Sequence, residues 1–255
     1  MISPRSNLAG ALVLVLIAGA GVSAQRGGGP PAPPSAPKAA APIDLTGNWV
    51  SVVTEDWRWR MVVPRKGDYS SVPLNAQGRQ VADTWDPATM ASDGCRPYGA
   101  AGVMRVPGRL RVSWENDTTL KIETDAGQQT RLLNFDTSEK PRARPAWQGY
   151  SVAEWQRIPQ PGGLGVSLQT APGRVGSLKV VTTNLRAGYL RRNGVPYSDK
   201  AIVTEYFDRL SAYDSDWLVV LTVVDDPTYL DQPFLTSTHF KREPDGSKWA
   251  PAPCE

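Results

Sequence analysis

The 255-residue chain holds a single histidine, His239, and only two cysteines, Cys95 and Cys254. Ligands so few and so far apart exclude a structural zinc site of the usual Cys/His kind. A strong charge of either sign is missing as well, with 28 Lys plus Arg against 25 Asp plus Glu. That balance leaves no nucleic-acid footprint, which needs Lys and Arg clustered on one face. The short basic spots Arg142/Arg144 and Arg191/Arg192 read as solvated loop charge. Beyond residues 8–20 there is no long apolar run, so no later segment reaches the roughly 20 apolar residues of a spanning helix. G-x-S-x-G, a Cys–His pairing and a metal-binding carboxylate cluster are all lacking, and with them support for hydrolase or metalloenzyme chemistry. Gly162-Gly163-Leu164-Gly165 has no Gly-Lys-Ser/Thr after it and opens no helix, so it is a connection and not a phosphate loop. No cofactor is implied.

What is present begins with an address. Arg5, the apolar stretch Leu8 to Ala20 and the small residues Val22-Ser23-Ala24 have the three-part form of a secretory signal, residues 1–24. No cysteine follows the apolar core to carry a lipid, so the expectation is a periplasmic or secreted protein. Residues 25–42 are Pro, Gly and Ala with little to bury, which predicts a disordered spacer. Residues 43–255 suit one domain. In an oxidising compartment Cys95 and Cys254 default to a disulfide closing a loop of about 160 residues, with two free thiols as the alternative. The chain-entropy model gives such a bridge an upper value of roughly 5 kcal/mol.

The rest of the chain reads as strands. From Trp49 a period of two collects Trp49, Ser51, Val53, Glu55, Trp57, Trp59 and Met61 on one face, and Arg58 and Arg60 with Asp56 on the other. This predicts one long strand across residues 44–63 with its tryptophans inward. Asn75 can cap a short helix ending near Trp85, weakened by Gly78 and stopped by Asp86-Pro87. Leu110, Val112 and Trp114, then Leu120 and Ile122, then Arg131, Leu133 and Phe135 alternate between Asn-, Asp- and Gly-rich turns, as antiparallel hairpins do. Residues 147–155 fit strand or helix. Leu178, Val180, Thr182 and Asn184 share one face of a strand, and Asn193-Gly194 is a hairpin turn. Residues 201–210 fit a helical stripe or a strand, and composition favours the strand. Trp217 to Val224 is apolar on both faces, and Phe234, Thr236, Thr238 and Phe240 line one side of the last strand.

Gly47-Asn48-Trp49 resembles the G-x-W of lipocalins, in which the Trp closes the bottom of a barrel. D-L-T-G-N-W, C-R-P-Y-G with M-R-V-P, and T-E-Y-F with W-L-V-V-L-T-V-V-D-D-P-T-Y-L-D-Q-P-F resemble, in that order, a large group of secreted bacterial proteins of unassigned function. The resemblance spans most of residues 44–240. It implies a lipocalin-like (calycin-type) β-barrel and export, and brings no catalytic residues.

The expected fold is therefore all-β, an antiparallel barrel of about 8–10 strands with one short helix at about 75–85. Trp57 and Trp59 either line a ligand cavity or belong to ordinary core, and Thr182, Asn184 and Tyr206 supply placed hydrogen bonds if their strands align inward. Glu55 among tryptophans must be paired, hydrogen-bonded or raised in pKa, and a raised carboxyl serves as acid or base. Its alternatives are a bulge that returns it to solvent, or an ion pair with an arginine. His239 is expected to face outward, with a Glu205–His239 pair as a minor possibility. The first reading is a binding protein holding a small apolar or aromatic molecule in an internal cavity. The second is a cofactor-free cyclase, isomerase or lyase using Glu55, Tyr206 and Asn184. The third is an envelope module binding a protein partner through its charged outer strand.

Overall fold

The structure is a computed structural model that describes residues 35–88, 94–138, 144–157 and 176–254. The expected signal, most of the expected spacer and the Gly162–Gly165 connection lie outside the described residues.

Alternation of apolar and polar side chains builds the barrel. β1 (Gly47–Val52) is followed by β2 (Arg109–Asn116), β3 (Thr119–Thr124), β4 (Thr130–Asn134), β5 (Tyr150–Arg157) and β6 (Gly176–Thr183). A two-stranded ribbon, β7 (Gly188–Arg191) and β8 (Val195–Tyr197), precedes the long strands β9 (Ile202–Ala212), β10 (Ser215–Asp225) and β11 (Phe234–Glu243). Among the described residues nine strands close in the order β1-β11-β10-β9-β6-β5-β4-β3-β2, with the ribbon outside the ring. The all-β barrel expected from the periodicity is what forms. Closure runs through β1, where Trp49 stands opposite Leu110 on one side and Arg242 on the other. A closed ring leaves no unpaired edge. One joint departs from the antiparallel expectation: β4 and β5 run parallel over Leu133↔Ser151 and Asn134↔Val152. There the Asn134 side-chain amide donates to the Ser151 carbonyl at 3.1 Å.

Inward rows form the first core. Trp49, Leu110, Val112, Leu120, Ile122, Leu133, Leu178, Val180, Phe207, Leu218, Val220 and Phe240 pack on one another with almost no exposure. Side chains fill this level of the barrel. Trp49 closes it, its indole N–H donating to the Leu45 carbonyl at 3.0 Å while the Arg242 guanidinium covers its ring at 5.6 Å. A second core caps the opposite mouth, where Tyr69, Leu74, Ala82, Leu190, Val195 and Tyr197 meet Val203, Val224 and Phe234 of the barrel.

The cap carries the one helix of more than a single turn among the described residues, α2 (Ala76–Asp83), close to the span expected. Asn75 caps it by accepting from the Gly78 N–H at 2.8 Å. Gly78 costs helix propensity for a packing reason: a Cβ there would lie 2.5 Å from the Tyr229 carbonyl oxygen. The disulfide Cys95–Cys254 forms, with Cα atoms 5.0 Å apart, and ties the cap to the C-terminal tail. Residues 35–42, from the expected spacer, lie on the barrel: Lys38 N–H donates to the Asp117 carbonyl at 3.1 Å, and the Trp155 indole to the Pro37 carbonyl at 2.9 Å.

The opening strand needs correction. β1 ends at Val52, and Asp56 takes a left-handed conformation at φ 52° before the single helical turn α1 (Trp57–Arg60). A continued strand would have carried the Glu55 carboxylate into the apolar row. The turn instead leaves Trp57 exposed at 64% and buries Arg60.

Candidate functional site

Three segments deliver arginines to one place at the cap. α1 supplies Trp59 and Arg60, a 3-10 turn (Val103–Arg105) supplies Arg105, and β7 supplies Arg191. With Leu190 and Arg192 these residues line a cavity of about 20 Å³. That is room for roughly one or two small groups. All three arginine side chains are buried, Arg191 to 4% exposure. The Arg191 guanidinium lies over the Trp59 ring at 4.8 Å.

The charges do not balance. Arg60 donates to the Arg105 carbonyl at 2.9 Å and pairs with Glu55. Arg105 donates to Asp56 at 2.9 Å. Among the described residues the Arg191 side chain has neither an ion pair nor a hydrogen bond, and its Nε, Nη1 and Nη2 are all buried. Arg60 Nη2 and Arg105 Nη1 are also without partners. Five guanidinium nitrogens are thus left without acceptors beside one cavity. Burial first, and the Arg105 charge second, push the Arg191 pKa down to about 10, with Asp56 and Asp68 offsetting only part. The group stays a cation at neutral pH, at an energetic cost. A bidentate acceptor such as a carboxylate, sulfate or phosphate would supply what these nitrogens lack.

A second buried arginine makes the contrast. Inside the barrel Arg131 of β4 and Glu205 of β9 are fully buried. The two strands are three steps apart round the ring, so the side chains meet across the interior. Arg131 donates from both terminal nitrogens, at 3.0 Å to one Glu205 oxygen and 2.5 Å to the other. Ser151 and Thr182 share a 2.8 Å hydrogen bond within the same interior. The charge of this pair is matched, although Arg131 Nε is buried without a hydrogen-bond partner among the described residues.

Glu55 takes the arginine-pair alternative. Its carboxylate contacts Arg60, the Thr54 hydroxyl at 2.6 Å and His239 Nδ1 at 3.0 Å. Burial raises its pKa, but hydrogen bonds from Thr54 and His239 and the Arg60 charge outweigh that and leave it lowered. A lowered carboxyl is a poor general acid near neutral pH. The pairing of a glutamate with His239 is real, yet it is Glu55 and not Glu205 that makes it.

The other expected site residues separate. Trp59 reaches the arginine cavity, while Trp57 lies on the outer surface and lines no interior. Thr182 is inward and bonded to Ser151. Tyr206 is on the outer face of β9, between Lys179 and Leu221, because Val203, Glu205 and Phe207 are the inward row. Asn184 follows the end of β6 in a left-handed conformation at φ 56°, its carbonyl accepting from Ala146 at 3.2 Å. Arg191 is not loop charge. Arg58 and Arg60 form no outer strand ladder, since they occupy a helical turn. The signal for Arg131 and Glu205 was present as charged residues in rows with Leu133 and with Val203 and Phe207. For Arg60, Arg105 and Arg191 no local pattern existed. Among the described residues no cluster of side chains could hold a metal ion and no helix is long and apolar enough to cross a membrane. No known protein family, curated protein or solved structure matches the chain.

Proposed function

We propose that the protein is a binding protein for a small organic anion, held by its acidic head group among Arg60, Arg105 and Arg191 with Trp59 as a wall. The observation that carries this reading is Arg191, a buried guanidinium with no acceptor on any of its nitrogens among the described residues. A buried charge without a partner is strongly unfavourable unless something compensates it. The cavity has room for little more than one water-sized group, so it takes an oxygen of the acidic group and the rest of the ligand lies beyond it. This reading differs from the expected apolar ligand in an internal cavity: the barrel core supplies rigidity, and the cap supplies the site. Export is part of the same proposal, supported by the signal-like composition of residues 1–24 and by a disulfide that fits an oxidising compartment. The lipocalin-like relationship is part of the proposal, supported by the closed barrel and by Trp49 at its base. The enzymatic reading has less support, since Glu55 is ion-paired with Arg60 and Tyr206 lies on the outer face of β9.

Calorimetric titration with acetate, benzoate, sulfate and phosphate tests the reading and separates carboxylate from phosphate chemistry. One saturable site is expected for at least one of these anions, weakened about tenfold or more in Arg191→Met, a loss of about 1.4 kcal/mol or more. Affinities all weaker than about 10 mM, or equal in the two proteins, would reject it.

A further inference from the structure

Beyond the anion site, the exposed apolar side chains of the molecule are unevenly placed. Trp57, Met61, Val62 and Val63 fall within seven consecutive residues and are exposed at 64, 56, 63 and 43%. Trp57 and Met61 are four apart on one helical turn and so share a side of it. Their exposure does not come from a loose backbone. Met61 N–H donates to the Trp57 carbonyl at 2.9 Å, and Arg58 pairs with Asp68 at 2.7 Å. The buried Asn193 amide donates to the carbonyls of both Arg65 and Asp68 at 3.0 Å, fastening the segment to the turn of the β7–β8 ribbon. Charge adds a second, independent asymmetry. Of the four basic residues in 57–66, Arg60 is buried and pairs with Glu55 and Arg58 pairs with Asp68, which leaves Arg65 and Lys66. Arg65 and Lys66 are exposed and carry no ion pair among the described residues.

We propose that residues 57–66 form a docking surface for the interface of an anionic lipid bilayer. An exposed tryptophan beside aliphatic side chains suits the boundary between headgroups and acyl chains, where an indole has one apolar and one wet side. Arg65 and Lys66, flanking that apolar group, complement anionic headgroups and leave the protein peripheral. The fixed backbone presents the side chains without an ordering cost at the moment of binding. The bilayer is the occupant that matches both asymmetries: aliphatic depth alone would serve a protein groove, but the exposed, unpaired charges of Arg65 and Lys66 beside it favour an extended anionic surface.

Flotation with vesicles of phosphatidylcholine alone, and with an added fraction of phosphatidylglycerol, tests this. The protein is expected to float with the anionic vesicles and to stay behind with the neutral ones. Removing one basic side chain, Arg65→Ser or Lys66→Ser, should weaken partitioning about fivefold. Trp57→Ser combined with Val62→Ser should weaken it by about tenfold or more. Leu235→Ser, which alters an exposed apolar side chain on β11 instead, should float as the wild type does. So should Arg191→Met, which keeps this test separate from that of the anion site. Absence of flotation, equal flotation of the Trp57/Val62 variant, or equal binding to neutral vesicles would overturn the proposal. Self-association in sedimentation velocity that the same double variant abolishes would overturn it too, by giving the patch to a second copy of the chain.

Discussion

Two buried arginine sites sit in one molecule and are solved in opposite ways. Within the barrel Arg131 meets Glu205 in a two-pronged pair sealed from water. At the cap Arg191 is almost as deeply buried, with a tryptophan face beside it and no acceptor. A pair inside a wall of strands whose charges cancel, with Arg131 Nε alone left unbonded, serves the fold. An unmatched cation beside a cavity retains binding capacity. Burial alone therefore does not separate structure from function in this protein. The balance of charges does.

The largest expected effect sharpens the structural half of that contrast. Glu205→Gln or Arg131→Met alone should destabilise by about 3–5 kcal/mol, because each leaves a buried group uncompensated. The double variant Arg131→Met/Glu205→Leu should recover most of that loss, and urea denaturation of the set measures the coupling. Additive losses would mean that the pair does not act as a unit. Arg191→Met should move stability in the other direction, raising that of the ligand-free protein by about 1–3 kcal/mol as an unpaired buried charge disappears.

Smaller effects belong to Glu55. Its folded pKa lies below the ordinary 4.5, so its contribution is fully present above the unfolded value and is lost as pH falls through the folded one. Acid unfolding should therefore weaken the wild type more than Glu55→Gln on that descent, by about 0.5–1 kcal/mol. Equal slopes in the two proteins would remove the ion pair from the account. Smallest of all, Tyr206→Phe should change both stability and anion affinity by less than about 0.5 kcal/mol, as befits an outer-face residue. A large loss of binding would return Tyr206 to the site.

How far the residues announce this is uneven, for physical reasons. β6 and β11 were legible because one face is buried and the other wet, so Leu178, Val180 and Thr182, and Phe234, Thr236, Thr238 and Phe240, keep a period of two. β9 was legible as a strand but not in its facing. Ile202, Thr204 and Tyr206 look as apolar as Val203, Glu205 and Phe207, and only the partner across the barrel explains a buried glutamate. The opening segment misled because the alternation of Trp57, Trp59 and Met61 with Arg58 and Arg60 is also compatible with a single helical turn. The left-handed Asp56 that creates the turn has no glycine to advertise it. The arginine site was illegible altogether. Its members come from residues 59–60, 105 and 191, and nothing local tells Arg191 from the neighbouring Arg192.

The claim that an unpaired buried cation marks the site is met most directly by thermal denaturation of the wild type and Arg191→Met, each with and without the tightest-binding anion. The account predicts that the ligand-free variant melts above the ligand-free wild type, and that the anion raises the melting temperature of the wild type alone. A variant that melts lower without ligand, or that gains as much from the anion, would contradict it.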